Sequence, residues 1–223
     1  MRVTVHDVAR ALPDGGVLRD RCRALAMLDA VLSPAWESRY FSFDSGWGPG
    51  EEMASMRNGS GDEYSIVFCE AGVFIRGFDH ESRMSPAASE FGEPWPGVID
   101  AVPEVFAHCV REPAFSFDGV PELTVCLWRQ RGDDRWHAGE IEFPPGDDPD
   151  GAQHLFALLV DGSAEAYQRF AEDYYEVAVD LDAIGQVLAL RPLGEALVQQ
   201  LNPQLSAEDL AEDLATIGYP AVA

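Results

Sequence analysis

Three apolar segments, Met53 to Arg57, Tyr64 to Cys69 and Val73 to Phe78, follow one another with joints of six and three residues. Joints that short allow antiparallel hairpins but not the crossover that a parallel strand requires. Asn58-Gly59-Ser60-Gly61 lies in the first joint and Glu70-Ala71-Gly72 fills the second, and both supply residues that tolerate positive φ. Within the second segment Tyr64, Ile66 and Phe68 alternate with Ser65, Val67 and Cys69, so both faces are fairly apolar, as in a central strand. The pattern predicts a three-stranded meander. Everything else must be built around it.

On the N-terminal side, Thr4 caps a short helix with Val5, Val8, Ala9 and Leu12 on one face. A second helix runs from Leu18 to Leu32 with apolar residues three and four apart, and Ser33-Pro34 stops it. Trp36 to Phe43 reads as a strand and Asp44 to Gly50 as a loop carrying Trp47. On the C-terminal side, residues 81–101 form a loop around Pro94-Trp95-Pro96-Gly97, and Pro103 opens a helix. Leu123 to Gln130 and Trp136 to Phe143 read as a hairpin about Arg131 to Arg135. Leu155 to Val160 reads as a buried strand. Ser163, Asp180 and Ser206 then open helices. Without regular βαβ alternation the prediction is α+β: a central antiparallel sheet, meander plus hairpin, flanked by N-terminal and C-terminal helices. Residues 1–223 are expected to form one domain, with 163–220 its helical C-terminal part.

Charge narrows the chemistry. The chain has no lysine; fifteen arginines face thirty-nine Asp and Glu, for a net charge of −24. Without an ammonium group there is no P-loop lysine, no kinase strand lysine and no Schiff base. The acidity disfavours nucleic acid and anionic membranes as partners. It is also what GC-rich coding or salt adaptation would leave on a surface, and net charge speaks first to solubility. The N-terminal MRVTVHDVARAL lacks a signal-peptide apolar core, and the longest apolar run, Leu155 to Val160, is too short to span a bilayer. A cytoplasmic location is expected, with Cys22, Cys69, Cys109 and Cys126 reduced.

Several segments carry groups that could do chemistry. Asp79-His80-Glu81 ends the third meander strand, where a histidine beside carboxylates is suited to act as general base or to sit in a structural ion pair. Alternation puts Asp79 and Glu81 on one side and His80 on the other. In the acidic loop Gly146 to Gly151, Asp147, Asp148 and Asp150 suggest a weak cation site. The EF-hand pattern fails because Ala157 stands where its last carboxylate belongs, and Asp-Pro and Asp-Gly are ordinary turn formers. Arg57 and Asp62 are placed to form a cross-strand ion pair. His6, His80, His108, His137 and His154 show no zinc-type spacing, which leaves open a metal site assembled from distant segments. Trp47 and Trp95, in Gly/Pro loops, and Arg83 are candidate partner contacts. No cofactor motif is present, and none is expected.

The segments LAMLDAVLSPAWESRYFSF (25–43), MRNGSGDEY (56–64), GFDHES (77–82), PWPG (94–97), PPGDDPDG (144–151) and IGYP (217–220) together resemble a family of uncharacterised bacterial proteins. The resemblance implies one compact domain with a variable N-terminal extension, residues 1–17, and brings no activity with it. Two functions are expected from the residues themselves. The first is a non-catalytic acidic binding protein, an inhibitor or immunity-type partner of a basic protein. The second is a small-molecule hydrolase using carboxylates and His80, with or without a divalent metal.

Overall fold

A computed structural model describes residues 2–89 and 92–222. Glu90 and Phe91, inside the expected loop 81–101, lie outside the described residues. The helices are α1 Val5–Ala11, α2 Gly15–Leu32, α3 Ala107–Val110, α4 Ala152–Leu155, α5 Ala157–Asp161, α6 Ala164–Tyr174, α7 Leu181–Leu188, α8 Glu195–Leu201 and α9 Ala211–Ile217. The strands are β1 Phe41–Gly48, β2 Glu51–Arg57, β3 Glu63–Cys69, β4 Gly72–Phe78, β5 Ser116–Phe117, β6 Val120–Pro121 and β7 Val125–Gln130. The chain is α+β, its described strand ladders antiparallel. It divides into two compact units: Met1–Gly15 with Arg57–Val160, and Gly16–Met56 with Asp161–Ala223.

In the first unit β3 pairs with β4 and β4 with β7, with Ile66 opposite Ile75 and Ile75 opposite Leu127. β4 is the middle strand, and its Phe74 and Ile75 are fully buried. Gly72 makes the turn possible. Its φ is +141°, and a Cβ there would lie 2.1 Å from the Arg129 carbonyl oxygen. Tyr64 packs on Phe156 and Phe74 on Phe106, and by the strand register these two contacts lie on opposite faces of the sheet. Arg76 of β4 is buried as well. It pairs with Glu63, donates from Nη1 to the Glu122 carbonyl at 2.7 Å, and lies 4.7 Å over the Phe115 ring.

Two elements of this unit differ from expectation. Leu155 to Val160 is helical, not a strand: it falls within α4 and α5. The Asp148 carboxylate accepts from the amides of Gln153 (3.0 Å) and His154 (3.1 Å), which starts a helix just before the apolar run. A six-residue apolar run suits either element by periodicity, and this cap decides it. Trp136 to Phe143 forms no strand beyond a single bridge between His137 and Trp128. A Cβ at Gly139 would fall 1.8 Å from the Gly97 carbonyl oxygen, and Trp95 Nε1 donates to the Glu142 carbonyl at 3.0 Å. The segment is thus occupied by the Pro-Trp-Pro-Gly loop instead of by a ladder.

In the second unit β1 pairs with β2, Phe41 opposite Met56 and Phe43 opposite Ala54, with an irregularity between Asp44 and Gly48. β1 runs on to Gly48, so Trp47 stands in a strand, not in the expected loop. α2 is buried over nearly its whole C-terminal half, and α9 packs on β1. Ser163 and Asp180 cap α6 and α7 as the sequence predicts, accepting from Ala166 and Ala183 amides at 3.2 Å and 2.8 Å. Pro103 precedes a short 3-10 turn that runs into α3, a weaker helix than expected.

Candidate acid–base and cation site

The site is assembled at one end of the first unit's sheet. The turn before β3 begins it: Asn58 Oδ1 accepts from the amides of Ser60 (2.8 Å) and Asp62 (3.1 Å), and Gly59 and Gly61 take φ of +76° and +115°. A Cβ on Gly61 would sit 3.1 Å from the His80 ring, so this glycine lets the turn lie directly against the end of β4. The turn thereby brings Asp62 to His80. Asp62 Oδ1 accepts from the His80 amide at 3.1 Å and meets His80 Nδ1 at 2.7 Å, while Asn58 donates to Oδ2 at 2.7 Å.

A second imidazole approaches the same carboxylate. His154 of α4 places Nε2 3.4 Å from Asp62 Oδ2 and Nδ1 3.5 Å from Asp148 Oδ2. The result is an alternating row, Asp148, His154, Asp62, His80. Asp79 joins it from the end of β4, its Oδ1 held by the amides of Glu81 (2.9 Å) and Ser82 (3.2 Å). Gly151, at φ +76°, allows the acidic loop to press on Asp79, since a Cβ there would lie 2.4 Å from Asp79 Cβ. Ser82 Oγ donates to the Pro149 carbonyl and Thr124 Oγ1 to the Asp150 carbonyl, both at 2.7 Å, and these bonds tie the loop down.

The electrostatics follow from these contacts. The hydrogen bond to Asp62 raises the His80 pKa, with Glu81 and Asp79 adding to the effect. His154 is raised first by its contact with Asp148, then by Asp79 and Asp62. For Asp62 and Asp148 burial pushes upward, but hydrogen bonds with the histidines and neighbouring amides outweigh it and hold both carboxyls low. With Nδ1–H donated to Asp62, His80 presents Nε2 on a side chain 39% exposed, as a proton acceptor open to solvent. Asp62, Asp79 and His80 each also offer an atom within 4.8 Å of the others, close enough to share one cation.

Of the residues singled out from sequence, Asp79, His80 and Asp148 meet here. Glu81 contributes its backbone amide and has an exposed side chain. Asp150 is buried and structural: it accepts from the amides of Val5 (2.8 Å) and Ala152 (3.2 Å), and burial pushes its pKa up to about 6. Asp147 is exposed, and its carbonyl accepts from the Val3 amide at 2.7 Å. Arg83 is exposed; Trp95 is half-buried with its indole N–H bonded to Glu142, a covering role; Trp47 lies in β1 of the other unit. Asp62 and His154 were missed as site residues. Asp62 uses its carboxylate on His80 and Asn58, whereas the sequence suggested Arg57. The one local signal for His154 was the acidic loop six residues before it. Comparison of the chain with protein-family models, curated proteins and solved structures finds no match.

Proposed function

We propose that Asp62, Asp79 and His80 bind a divalent cation of the Zn²⁺ or Mn²⁺ class and that the site, with His154 beside it, serves hydrolysis of a small molecule. The observation behind this reading is the convergence of two imidazoles and three carboxylates, Asp62, Asp79 and Asp148, from distant segments of the chain. A mixed imidazole and carboxylate set suits Zn²⁺, Mn²⁺ or Fe²⁺ better than an all-oxygen Ca²⁺ cage. A cation so held supplies a water of lowered pKa. The chain's own residues supply the rest: Asp62 orients His80, and His154, between Asp62 and Asp148, accepts or returns a proton.

Calorimetric titration of Mn²⁺ and Zn²⁺ into the wild type, D62N and H80A tests the reading. Wild-type binding in the micromolar range is expected, weakened roughly 10–100-fold by either substitution. Hydrolysis of phenyl esters and phosphoesters should require the added metal and disappear in H80A. Wild-type affinity in both variants would reduce the cluster to a structural ion-pair network.

The net charge of −24 favours a second reading, an acidic binding protein for a basic partner. Carboxylate-rich faces steer a cationic protein and raise its association rate. Capture of a basic protein that weakens with salt and survives unchanged in D62N and H80A would select this function over the first. Among the described residues no helix is long and apolar enough to cross a membrane.

A further inference from the structure

We infer that a groove between α1 and the segment following β7 binds a small organic oxyanion, a carboxylate or phosphate carried on a flat apolar body. The groove holds about 590 Å³, the size of a metabolite site, and is lined by His6, Ala9 and Arg10 from α1 and by Arg129, Arg135 and Trp136. In a chain with fifteen arginines against thirty-nine acids, three guanidinium groups and an imidazole on one groove run against the overall charge.

The pairing of these charges makes the point sharper. Arg10 is neutralised by Asp7 at 2.6 Å. Arg129 donates from Nε and Nη2 to the Asp133 carbonyl at 3.2 Å and 3.0 Å, which fixes the side chain but leaves its charge uncancelled. The Asp133 carboxylate is engaged elsewhere, by the Gln130 amide at 2.9 Å and His137 Nε2 at 3.4 Å. Arg135 is exposed and makes no ion pair among the described residues. One carboxylate, Asp134, also lines the groove, and it disfavours a ligand of high negative charge.

The planar fork of arginine matches a carboxylate or phosphate in two-point contact. Trp136, 5% exposed, reaches the groove with the edge of a ring that is pinned in place, its Nε1 donating to the Pro13 carbonyl at 2.7 Å. Ala9, Leu12 and Ala138 extend the apolar surface. A polyanion would meet the carboxylates beyond the groove, whereas a small anion inside it feels mainly the nearby guanidinium groups, because distant charge is screened within about 10 Å.

Calorimetry with phenyl phosphate, benzoate and inorganic phosphate tests the inference on the wild type, R129Q, R135Q and D134N. Submillimolar binding of at least one aryl anion is expected. R129Q and R135Q should each weaken it about tenfold, the effect of one charge-assisted hydrogen bond, and D134N should tighten it. Preference for phenyl phosphate assigns a phosphate ligand; preference for benzoate assigns a carboxylate. Failure of both aryl anions to bind would overturn the inference, as would inorganic phosphate binding as tightly as phenyl phosphate. Unchanged binding in R135Q, a surface substitution that leaves the core intact, would also overturn it.

Discussion

Asp29 is a buried carboxylate in α2 whose loss should be the most damaging single polar substitution in the second unit. It is fully buried and accepts four hydrogen bonds: from the amides of Tyr40 (3.0 Å) and Phe41 (2.6 Å) and the hydroxyls of Tyr167 (2.7 Å) and Tyr175 (2.8 Å). D29A leaves the Phe41 amide and two hydroxyls without their acceptor, and leaves the Tyr40 amide only the Tyr175 oxygen at 3.3 Å. At roughly 1–3 kcal/mol for each buried amide, with the hydroxyls partly able to turn elsewhere, a loss of about 4 kcal/mol is expected. D29N is milder. Its one oxygen can face the two amides and Tyr175, while its NH₂ donates to the Tyr167 oxygen, so the cost should stay under about 1 kcal/mol.

The charge gives a second signature. Burial pushes the Asp29 pKa up from 3.8 to about 6, against the pull of its four donors. A pKa raised on folding means that its stability contribution is complete below the unfolded value and is lost as pH rises through the folded one. At 1.36 kcal/mol per unit, ionising this group therefore costs the wild type roughly 3 kcal/mol between about pH 4 and pH 7. Asparagine has no such loss. Urea unfolding followed by tryptophan fluorescence, at about pH 5 and about pH 7.5, should show D29N gaining on the wild type as pH rises. Asp150, also raised to about 6, contributes to the slope of both proteins and cancels in the difference. A D29N variant as unstable as D29A, or one whose difference from wild type is flat with pH, would refute the reasoning.

In D62N, NMR titration should find both His80 and His154 ionising at lower pH than in the wild type, His80 by more because Asp62 is its main partner; an unmoved His80 would contradict the geometry. G72A sets a Cβ 2.1 Å from a backbone oxygen at φ +141°, so the β4–β7 ladder must shift and a loss of about 3 kcal/mol or more in denaturant unfolding is expected; wild-type stability would mean the turn has another low-energy form.

The candidate site was half legible in the sequence for a definite reason. Asp79 and His80 stand next to each other, so their chemistry shows in any window. Asp62 and His154 acquire theirs only because a glycine turn and a helix cap carry them to the same strand end, where the sequence had paired Asp62 with Arg57 and offered His154 only the nearby acidic loop. The alternating row of carboxylates and imidazoles is in that sense a product of the fold.

Local chemistry settled the strands read at 64–69 and 73–78, each one residue longer at its start in the structure, the caps at Ser163 and Asp180, and the absence of every lysine-based mechanism. Turn glycines, capping oxygens and side-chain alternation act over a few residues, so their effect is written where they stand. Leu155 to Val160 coils because the Asp148 carboxylate, five and six residues before the amides it accepts from, is held in place by a loop tied to the distant Ser82 and Thr124, and what Trp136 to Phe143 would pair with depended on the Gly97 carbonyl against Gly139. Those contacts exist only after the chain has closed on itself, because burial and close approach are properties of the packed chain and not of any short stretch of it.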